Sequence, residues 1–385
     1  MSEVHAPQER RVTPLELFFD LVFVFALTEV TAFLTGDPTW HGLSRAVLLL
    51  AALWWAWEGY AWLTNTVDAD EDAVVGALLV AMAAMFVAAL AAPTAFGSDA
   101  LLFGVAFLIV HLMHITLYAL AAHGDPDLLT AVMRVAWTAL AGATLILVAA
   151  FVPGDLRPFL WLAALIVGLF GPLLRDLGGW RLEPAHFVER HGLIIIIALG
   201  ESLIAVGVGA RGTSLGATVV VAALLGLVVA ASFWIAYFDF FTIRLHQLLD
   251  ERQGTAQIAL ARDAFSYLHL PMVVGIVLSA FAMREVVAHA GRDLGTVPAL
   301  ALCSGSALYL AGYVGLRWRV SRTLRGGRLV ASIVFLALFP IALVVPAIAA
   351  LGLVAACWIC LHVYEIVWWR EARAGTRALR APAPS

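Results

Sequence analysis

Uninterrupted apolar stretches of roughly twenty residues recur along this chain and limit what it can fold into. An α-helix of that length crosses the ~30 Å hydrocarbon core of a bilayer, and it satisfies its own backbone hydrogen bonds in lipid. The chain is 63% hydrophobic and 13% charged over 385 residues, whereas soluble domains are about half apolar and about a quarter charged. The alternation typical of β-barrel strands is missing. The sequence therefore predicts an all-α, polytopic transmembrane helix bundle of about 12 helices.

The apolar stretches define twelve predicted crossings. In the first half of the chain they are 13–34, 43–64, 74–95, 100–122, 127–151 and 158–176. In the second half they are 186–209, 215–240, 263–285, 297–317, 327–344 and 346–368. Only the region around Pro340 and Pro346 separates the last two, and Pro271 predicts a kink in the ninth.

The distribution of arginine predicts the orientation of the chain. All 23 basic residues are arginine, and two of them, Arg134 and Arg190, fall within predicted helices and away from the helix ends. Of the others, sixteen lie on the side that holds both termini and five lie on the opposite side. Because cytoplasmic loops carry the excess of basic residues, both termini are predicted to be cytoplasmic.

A short motif recurs about half a chain apart, as A-L-T-E ending at Glu29 and as A-L-G-E ending at Glu201, a distance of 201 − 29 = 172 residues. Each motif lies in a predicted helix that begins at a proline, Pro14 or Pro184. This pattern predicts two parallel six-helix repeats, an arrangement that occurs in transporters. The predicted divisions are a cytoplasmic N-terminal segment at 1–12, repeats at 13–176 and 177–368, and a cytoplasmic C-terminal tail at 369–385.

Ionisable residues inside the predicted helices are the candidate functional residues. Each costs about 2.5–3.5 kcal/mol at the bilayer centre, so such residues usually face the protein interior or a water-filled cavity. Arg190 and Glu201 lie about 16 Å apart along one helix, so they cannot pair directly and need partners elsewhere. A salt bridge between Arg190 and Asp20 or Glu16 is the purely structural alternative. The predicted transport path or buried charge network consists of Glu16, Asp20, Glu29, Glu58, Glu189, Arg190, Glu201 and Asp239.

Histidines within the predicted helices are candidates for a proton relay, since histidine titrates near neutral pH. His111 and His114 share one face of the fourth helix, and His269 lies two residues before Pro271. Two histidines without a third ligand are weak grounds for a metal site. We therefore expect no metal and no cofactor. The sequence contains no catalytic motif of the kinds found in soluble enzymes.

Five segments resemble the low temperature requirement A (LtrA) family of bacterial membrane proteins. They are TPLELFFDLVFVFAL at 13–27, WWAWEGYAWLTNTVDADED at 54–72, HFVERHGLIIIIALGES at 186–202, FWIAYFDF at 233–240 and YLHLPMVVGIV at 267–277. The resemblance spans nearly the whole chain. It implies a multi-pass protein of the bacterial plasma membrane, in a family named for growth at low temperature, and it implies no particular mechanism.

Transport is the function that the intramembrane carboxylates favour, through a channel or transporter for an ion or small solute. Two alternatives stay open: a membrane-embedded enzyme that acts on lipid, and a structural membrane factor. An enzymatic function is less favoured than transport. The predicted partners are the lipid bilayer and an ion or small solute, a homo-oligomer is compatible with the sequence, and a net charge of −4 argues against nucleic acid.

Overall fold

The computed structural model describes residues 11–67, 72–174, 176–324 and 326–368. Most of the predicted N-terminal segment and the whole predicted C-terminal tail therefore lie outside the described residues. Within the described ranges every regular element is a helix, and the predicted all-α fold is confirmed.

The helices of the first part of the chain are α1 (Pro14–Gly36), α2 (Trp40–Thr66), α3 (Asp72–Ala91), α4 (Ala100–Ala121), α5 (Pro126–Ala149), α6 (Arg157–Phe170) and α7 (Pro184–Gly209). Those of the second part are α8 (Ala217–Ala236), α9 (Thr242–Asp250), α10 (Gly254–Ala261), α11 (His269–Ala288), α12 (Thr296–Ser321), α13 (Gly327–Ala337), α14 (Phe339–Ala342) and α15 (Ala347–Trp368). Both α1 and α7 begin at the predicted prolines.

Eleven helical runs among the described residues are long and apolar enough to cross a membrane, and a shorter apolar run covers Gly327–Ala342. Two runs extend well beyond their predicted crossings. The eighth continues without a break to Asp250, and the ninth already begins at Gly254. Each contains a π-helical turn, at Tyr237–Phe241 and at Arg262–Tyr267.

The second π-helical turn accounts for the predicted irregularity near Pro271. Proline lacks the N–H that would bond to the carbonyl of Tyr267, and its ring crowds that carbonyl. The backbone widens in the turn just before, where Leu268 N donates to Asp263 O at 3.1 Å, five residues back instead of four.

Backbone and side-chain contacts show that Gly327–Ala342 returns across the bundle. Ala347 N, at the start of α15, donates to Arg292 O, just after α11 ends (2.8 Å). At the opposite end of these helices, Arg328 at the start of α13 pairs with Glu365 near the end of α15 (2.7 Å). Since α12 leaves the level of Arg292 and α15 starts there, α13 and α14 must carry the chain back. The run is therefore a twelfth helical pass through the bundle, shorter than the eleven membrane-length runs.

Helix α1 is apolar on its outer face and carries two of its charges inside. On α1 the apolar Phe18 and Leu21 are 53% and 59% exposed, while the charged Glu16 and Asp20 are 1% and 0% exposed. This is the reverse of a water-soluble helix, whose charged face meets solvent. It is the arrangement expected where lipid surrounds the bundle.

Contacts divide the chain into two compact units. The first unit contains residues up to Ala26, Ala52–Ile194 and Leu245–Ala261, and the second contains Leu27–Ala51, Ile195–Arg244 and residues from Arg262 onward. In the first unit, α3, α4 and α5 each pack against the next helix in sequence. In the second unit, α11 packs against α12 and α8, and α15 packs against α8. Each unit takes residues from both predicted repeats, and the repeat itself stays a prediction.

Candidate functional site

The site begins at the N-terminus of α1, where the local sequence fixes one of its carboxylates. Thr13 and Glu16 form a capping box: Thr13 N donates to Glu16 Oε2 (2.8 Å), and Glu16 N donates to Thr13 Oγ1 (3.3 Å). Asp20 follows one turn later on the same face, and both carboxylates are buried. The helix therefore presents two acidic groups inside the first unit.

Arg190 of α7 is fully buried and binds both of these carboxylates. Its Nη1 donates to Glu16 Oε1 (2.6 Å) and to Thr64 Oγ1 (3.0 Å), and its Nη2 donates to Asp20 Oδ1 (3.2 Å). The guanidinium carbon also lies 5.8 Å from the ring centroid of Trp57. The predicted partners of Arg190 are thus the observed ones, and it contacts both rather than one.

Asp20 is bound through only one of its two oxygens. Oδ1 accepts from Trp57 Nε1 (2.7 Å) as well as from Arg190. Oδ2 is buried and has no hydrogen-bond partner among the described residues, and the same is true of Arg190 Nε. Buried polar atoms almost always find a partner, so an unpartnered carboxylate oxygen in a charged cluster requires an explanation.

His186 supports Glu16 as a neutral donor. The Asn65 side chain pairs with the backbone of Glu183, donating from Nδ2 to its carbonyl (2.9 Å) and accepting at Oδ1 from its amide (2.8 Å). The remaining amide hydrogen of Asn65 faces His186 Nδ1 at 3.2 Å. Nδ1 is therefore an acceptor, and Nε2 carries the hydrogen that it donates to Glu16 Oε2 at 3.1 Å.

A second acid–histidine contact lies beside this cluster, between α7 and α2. His191 Nε2 lies 3.0 Å from Glu58 Oε2, and both residues are buried. Trp62 Nε1 donates to the other oxygen of Glu58 at 2.9 Å. The ring of Trp57, which bonds to Asp20, meets the His191 ring edge-on at 5.2 Å between centroids. Trp57 therefore connects the two parts of the site, which we call the acid–arginine cluster (Glu16, Asp20, Arg190) and the His191–Glu58 pair.

The other predicted carboxylates are not in this network. Glu201 is buried in the second unit, where Thr28 Oγ1 donates to it at 2.5 Å. Glu29 and Asp239 are half-buried in the same unit, and Asp239 lies in the first π-helical turn. Glu189 is exposed and accepts from Val12 N (3.1 Å). Of the eight predicted residues, the structure brings four together: Glu16, Asp20, Glu58 and Arg190.

The histidines predicted as a proton relay lie in two separate places. His111 and His114 belong to α4 in the first unit, where His111 Nδ1 meets the Phe107 carbonyl (3.0 Å) and His114 packs on Tyr60. His269 lies in the second unit between the two π-helical turns, with Nε2 2.8 Å from Tyr237 Oη and Nδ1 2.8 Å from Ala264 O. A relay through them stays a prediction.

Sequence reasoning did not include His186, His191, Asn65 or Trp57 in the site. The spacing of His186 and Arg190, four residues apart on a helix, was a signal for the first of these. The pairing of Asn65 with the Glu183 backbone had no sequence signal. Among the described residues, no group of three His, Cys, Asp or Glu side chains is placed to hold a metal.

Comparison with known proteins gives the family of the chain. The family model described as bacterial low temperature requirement A protein (LtrA) matches residues 11–363. The uncharacterized protein RA0937 of Rhizobium meliloti (strain 1021) is 33% identical, in a match that covers 80% of this chain and 78% of the relative. No solved structure matches the chain. The resemblance seen in the sequence motifs is therefore confirmed, and this multi-helix membrane protein belongs to the bacterial LtrA family.

Proposed function

We propose that this protein transports a monovalent cation, either a proton or an alkali-metal ion, and that Asp20 is the membrane-embedded group that binds it. The observation that carries the proposal is the buried, unpartnered Oδ2 of Asp20 in a cluster where two carboxylates share one arginine. With both carboxylates ionised and His186 neutral, Glu16, Asp20 and Arg190 sum to one negative charge.

The cost of that excess charge supports an exchangeable cation. An uncompensated ion buried in protein costs several kcal/mol, even after relaxation and water penetration. A proton on Oδ2, or a cation beside it, removes this cost and occupies the open position of Asp20. A group that alternates between occupied and empty at this position is what a membrane transport protein needs.

A structural role is the second candidate, and the three hydrogen bonds of Arg190 favour it. In that case the cluster would only hold α1, α2 and α7 together. The two roles differ in what a charge exchange does. If the cluster is structural, the double variant Asp20→Arg with Arg190→Asp keeps a paired acid and base and retains function. If Asp20 binds the transported ion, the same double variant loses transport.

Flux measurements on purified protein in liposomes test the proposal. We expect wild-type protein to conduct protons or one of Na⁺ and K⁺ above the level of protein-free vesicles. Asp20→Asn keeps the shape of the side chain but cannot bind a cation by charge, and we expect it to fall to that background level. Absence of flux for every cation tested, or an unchanged flux in Asp20→Asn, would contradict the proposal.

We further propose that the chain lies in the bacterial plasma membrane with both termini in the cytoplasm and that its halves, 13–176 and 177–368, are parallel repeats. The orientation is supported by the arginine distribution and by the even number of crossings. The repeat is supported by the first unit, where Glu16 bonds to His186 and Asp20 to Arg190 at the same sequence separation of 170 residues. An equal separation means that the start of α1 and the start of α7 run in the same direction.

A further inference from the structure

The hydrogen bonds of His191 fix where its ring hydrogens can be. Its Nδ1 lies 2.9 Å from the carbonyl oxygen of Phe187, one helical turn earlier. A carbonyl oxygen only accepts hydrogen bonds, so Nδ1 carries a hydrogen. In a neutral imidazole with the hydrogen on Nδ1, Nε2 has a lone pair and is an acceptor.

The contact between His191 and Glu58 then requires one more proton. Nε2 faces Glu58 Oε2 at 3.0 Å. An ionised carboxylate and a neutral Nε2 are both acceptors, and two acceptors at this distance repel each other. Since Trp62 already donates to the other carboxylate oxygen, the required proton lies between Oε2 and Nε2. The pair is either imidazolium with carboxylate or neutral imidazole with carboxylic acid.

His186 shows that the extra proton is required at His191 but not at every histidine that contacts a carboxylate. His186 also faces a carboxylate at 3.1 Å, but Asn65 donates to its Nδ1 and leaves the hydrogen on Nε2. That contact is complete with a neutral ring. Two histidines five residues apart on α7 thus differ in their proton content because of their second partners.

We propose that the His191–Glu58 pair binds one exchangeable proton and that H⁺ is the ion whose gradient drives transport by this protein. The inference rests on the proposed transport function, which it deepens by naming the coupling ion. On release, the proton leaves the Nε2–Oε2 contact for water, and neutral His191 and ionised Glu58 remain. The two acceptors then separate, and the site gains one negative charge.

The surroundings of the pair couple that charge to Asp20. Glu58 of α2 contacts His191, and Asp20 of α1 interacts with it electrostatically. Asp20 is in turn paired with Arg190, which also binds Glu16, and Glu16 contacts His186. Trp57 contacts both sides, with its ring against His191 and its Nε1 on Asp20. Release of the proton adds negative charge beside Asp20 and so favours cation binding there, while proton binding disfavours it.

Spectroscopy of the intact protein in lipid nanodiscs tests the proton directly and without any transport assay. Glu58→Gln is the matched variant, because its amide N–H donates to Nε2 with no added proton. With ¹⁵N-labelled histidine and isotope-edited infrared spectra, we expect wild-type protein to show an imidazolium at position 191 or a protonated carboxyl at Glu58. We expect both signals to be absent in Glu58→Gln.

His111 is an internal comparison in the same spectra. Its Nδ1 bonds to the carbonyl of Phe107 and its ring packs on Phe107 at 4.5 Å, much as His191 packs on Phe187 at 4.4 Å. We expect its ¹⁵N signals to be the same in wild type and in Glu58→Gln. A wild-type protein with neither an imidazolium at His191 nor a protonated Glu58 at any pH would overturn the inference.

A flux experiment separates the failure of this inference from the failure of the transport proposal. We expect a pH gradient alone to drive cation flux in wild-type liposomes, and we expect Glu58→Gln to lose this drive. Glu285→Gln is the control, since it removes a carboxylate 3.7 Å from the half-exposed His289, and it should respond to the gradient as wild type does. Cation flux that does not depend on the pH gradient, or a response to the gradient that persists in Glu58→Gln, would refute proton coupling and leave the transport function standing. Absence of any flux in wild type would refute the transport function, and the spectra would still report on the proton.

Discussion

At the scale of single residues, Arg190 is the one cation that offsets the acid–arginine cluster. It is 0% exposed and holds Glu16, Asp20 and Thr64 through two of its nitrogens. A guanidinium suits this position because its planar fork can reach two carboxylates at once, which an ammonium group cannot. Removing it would leave two buried carboxylates without a counter-charge.

We expect Arg190→Leu to lower the free energy of unfolding by about 3–5 kcal/mol, the range for breaking a buried ion pair by deleting one partner. Arg190→Lys keeps the charge but cannot bridge both acids. Its free energy of unfolding should lie between those of wild type and Arg190→Leu. Thermal denaturation of the detergent-solubilised protein measures both effects.

Arg134 provides the matched control for this prediction. It pairs with Asp176 at 3.2 Å, but the two side chains are 35% and 70% exposed. Exposed ion pairs contribute about 0–1 kcal/mol, so Arg134→Leu should change stability by less than that. Equal losses for Arg190→Leu and Arg134→Leu would show that the cluster carries no special charge balance.

At the scale of elements, close helix packing depends on glycine where α11 meets α12. A Cβ on Gly305 would lie 2.3 Å from Ser279 Oγ and 2.7 Å from Gly275 O, too close for any side chain. Small residues at such crossings let two backbones approach and gain van der Waals contact, which is a main source of helix association in lipid.

We expect Gly305→Val to force these two helices apart and to lower stability by about 1–3 kcal/mol, the usual cost of overpacking. Gly76→Ala is the control, because nothing lies within 4 Å of its added Cβ on α3. A thermal shift assay that found Gly305→Val as stable as Gly76→Ala would contradict the close approach of α11 and α12.

The elements were predictable from sequence because hydropathy alone determines which segments enter lipid, and the site was predictable only in part. Helix geometry excluded a direct pair between Arg190 and Glu201, and the acids of the first helix were then the candidate partners. The contact of Glu58 with His191 could not be predicted in this way, because it depends on how α2 and α7 are rotated against each other. The same limit explains Glu189, which lies next to Arg190 in sequence but faces outward.

At the scale of the whole molecule, the number of crossings sets the sides on which the termini lie. Among the described residues there are eleven membrane-length runs and the shorter returning run Gly327–Ala342. If all twelve cross, the two termini lie on one side. If that short run did not cross, the termini would lie on opposite sides.

We expect a reporter fused before α1 or after α15 to give the signal of a cytoplasmic fusion. A reporter fused at Gly212, in the connection between α7 and α8, should behave as an external one. Alkaline phosphatase and green fluorescent protein fusions make this comparison. Termini on opposite sides would remove the twelfth crossing and with it the proposed parallel repeat.

Binding of an exchangeable cation at Asp20 moves charge within the membrane. Charge movement in protein-loaded liposomes on a solid-supported membrane therefore reports on this binding, because ion binding within the membrane produces a transient current even without full turnover. We expect a transient current on a jump in Na⁺ or K⁺ concentration at constant pH in wild type, and none in Asp20→Asn. A wild-type protein without a transient, or a transient unchanged in Asp20→Asn, would contradict it.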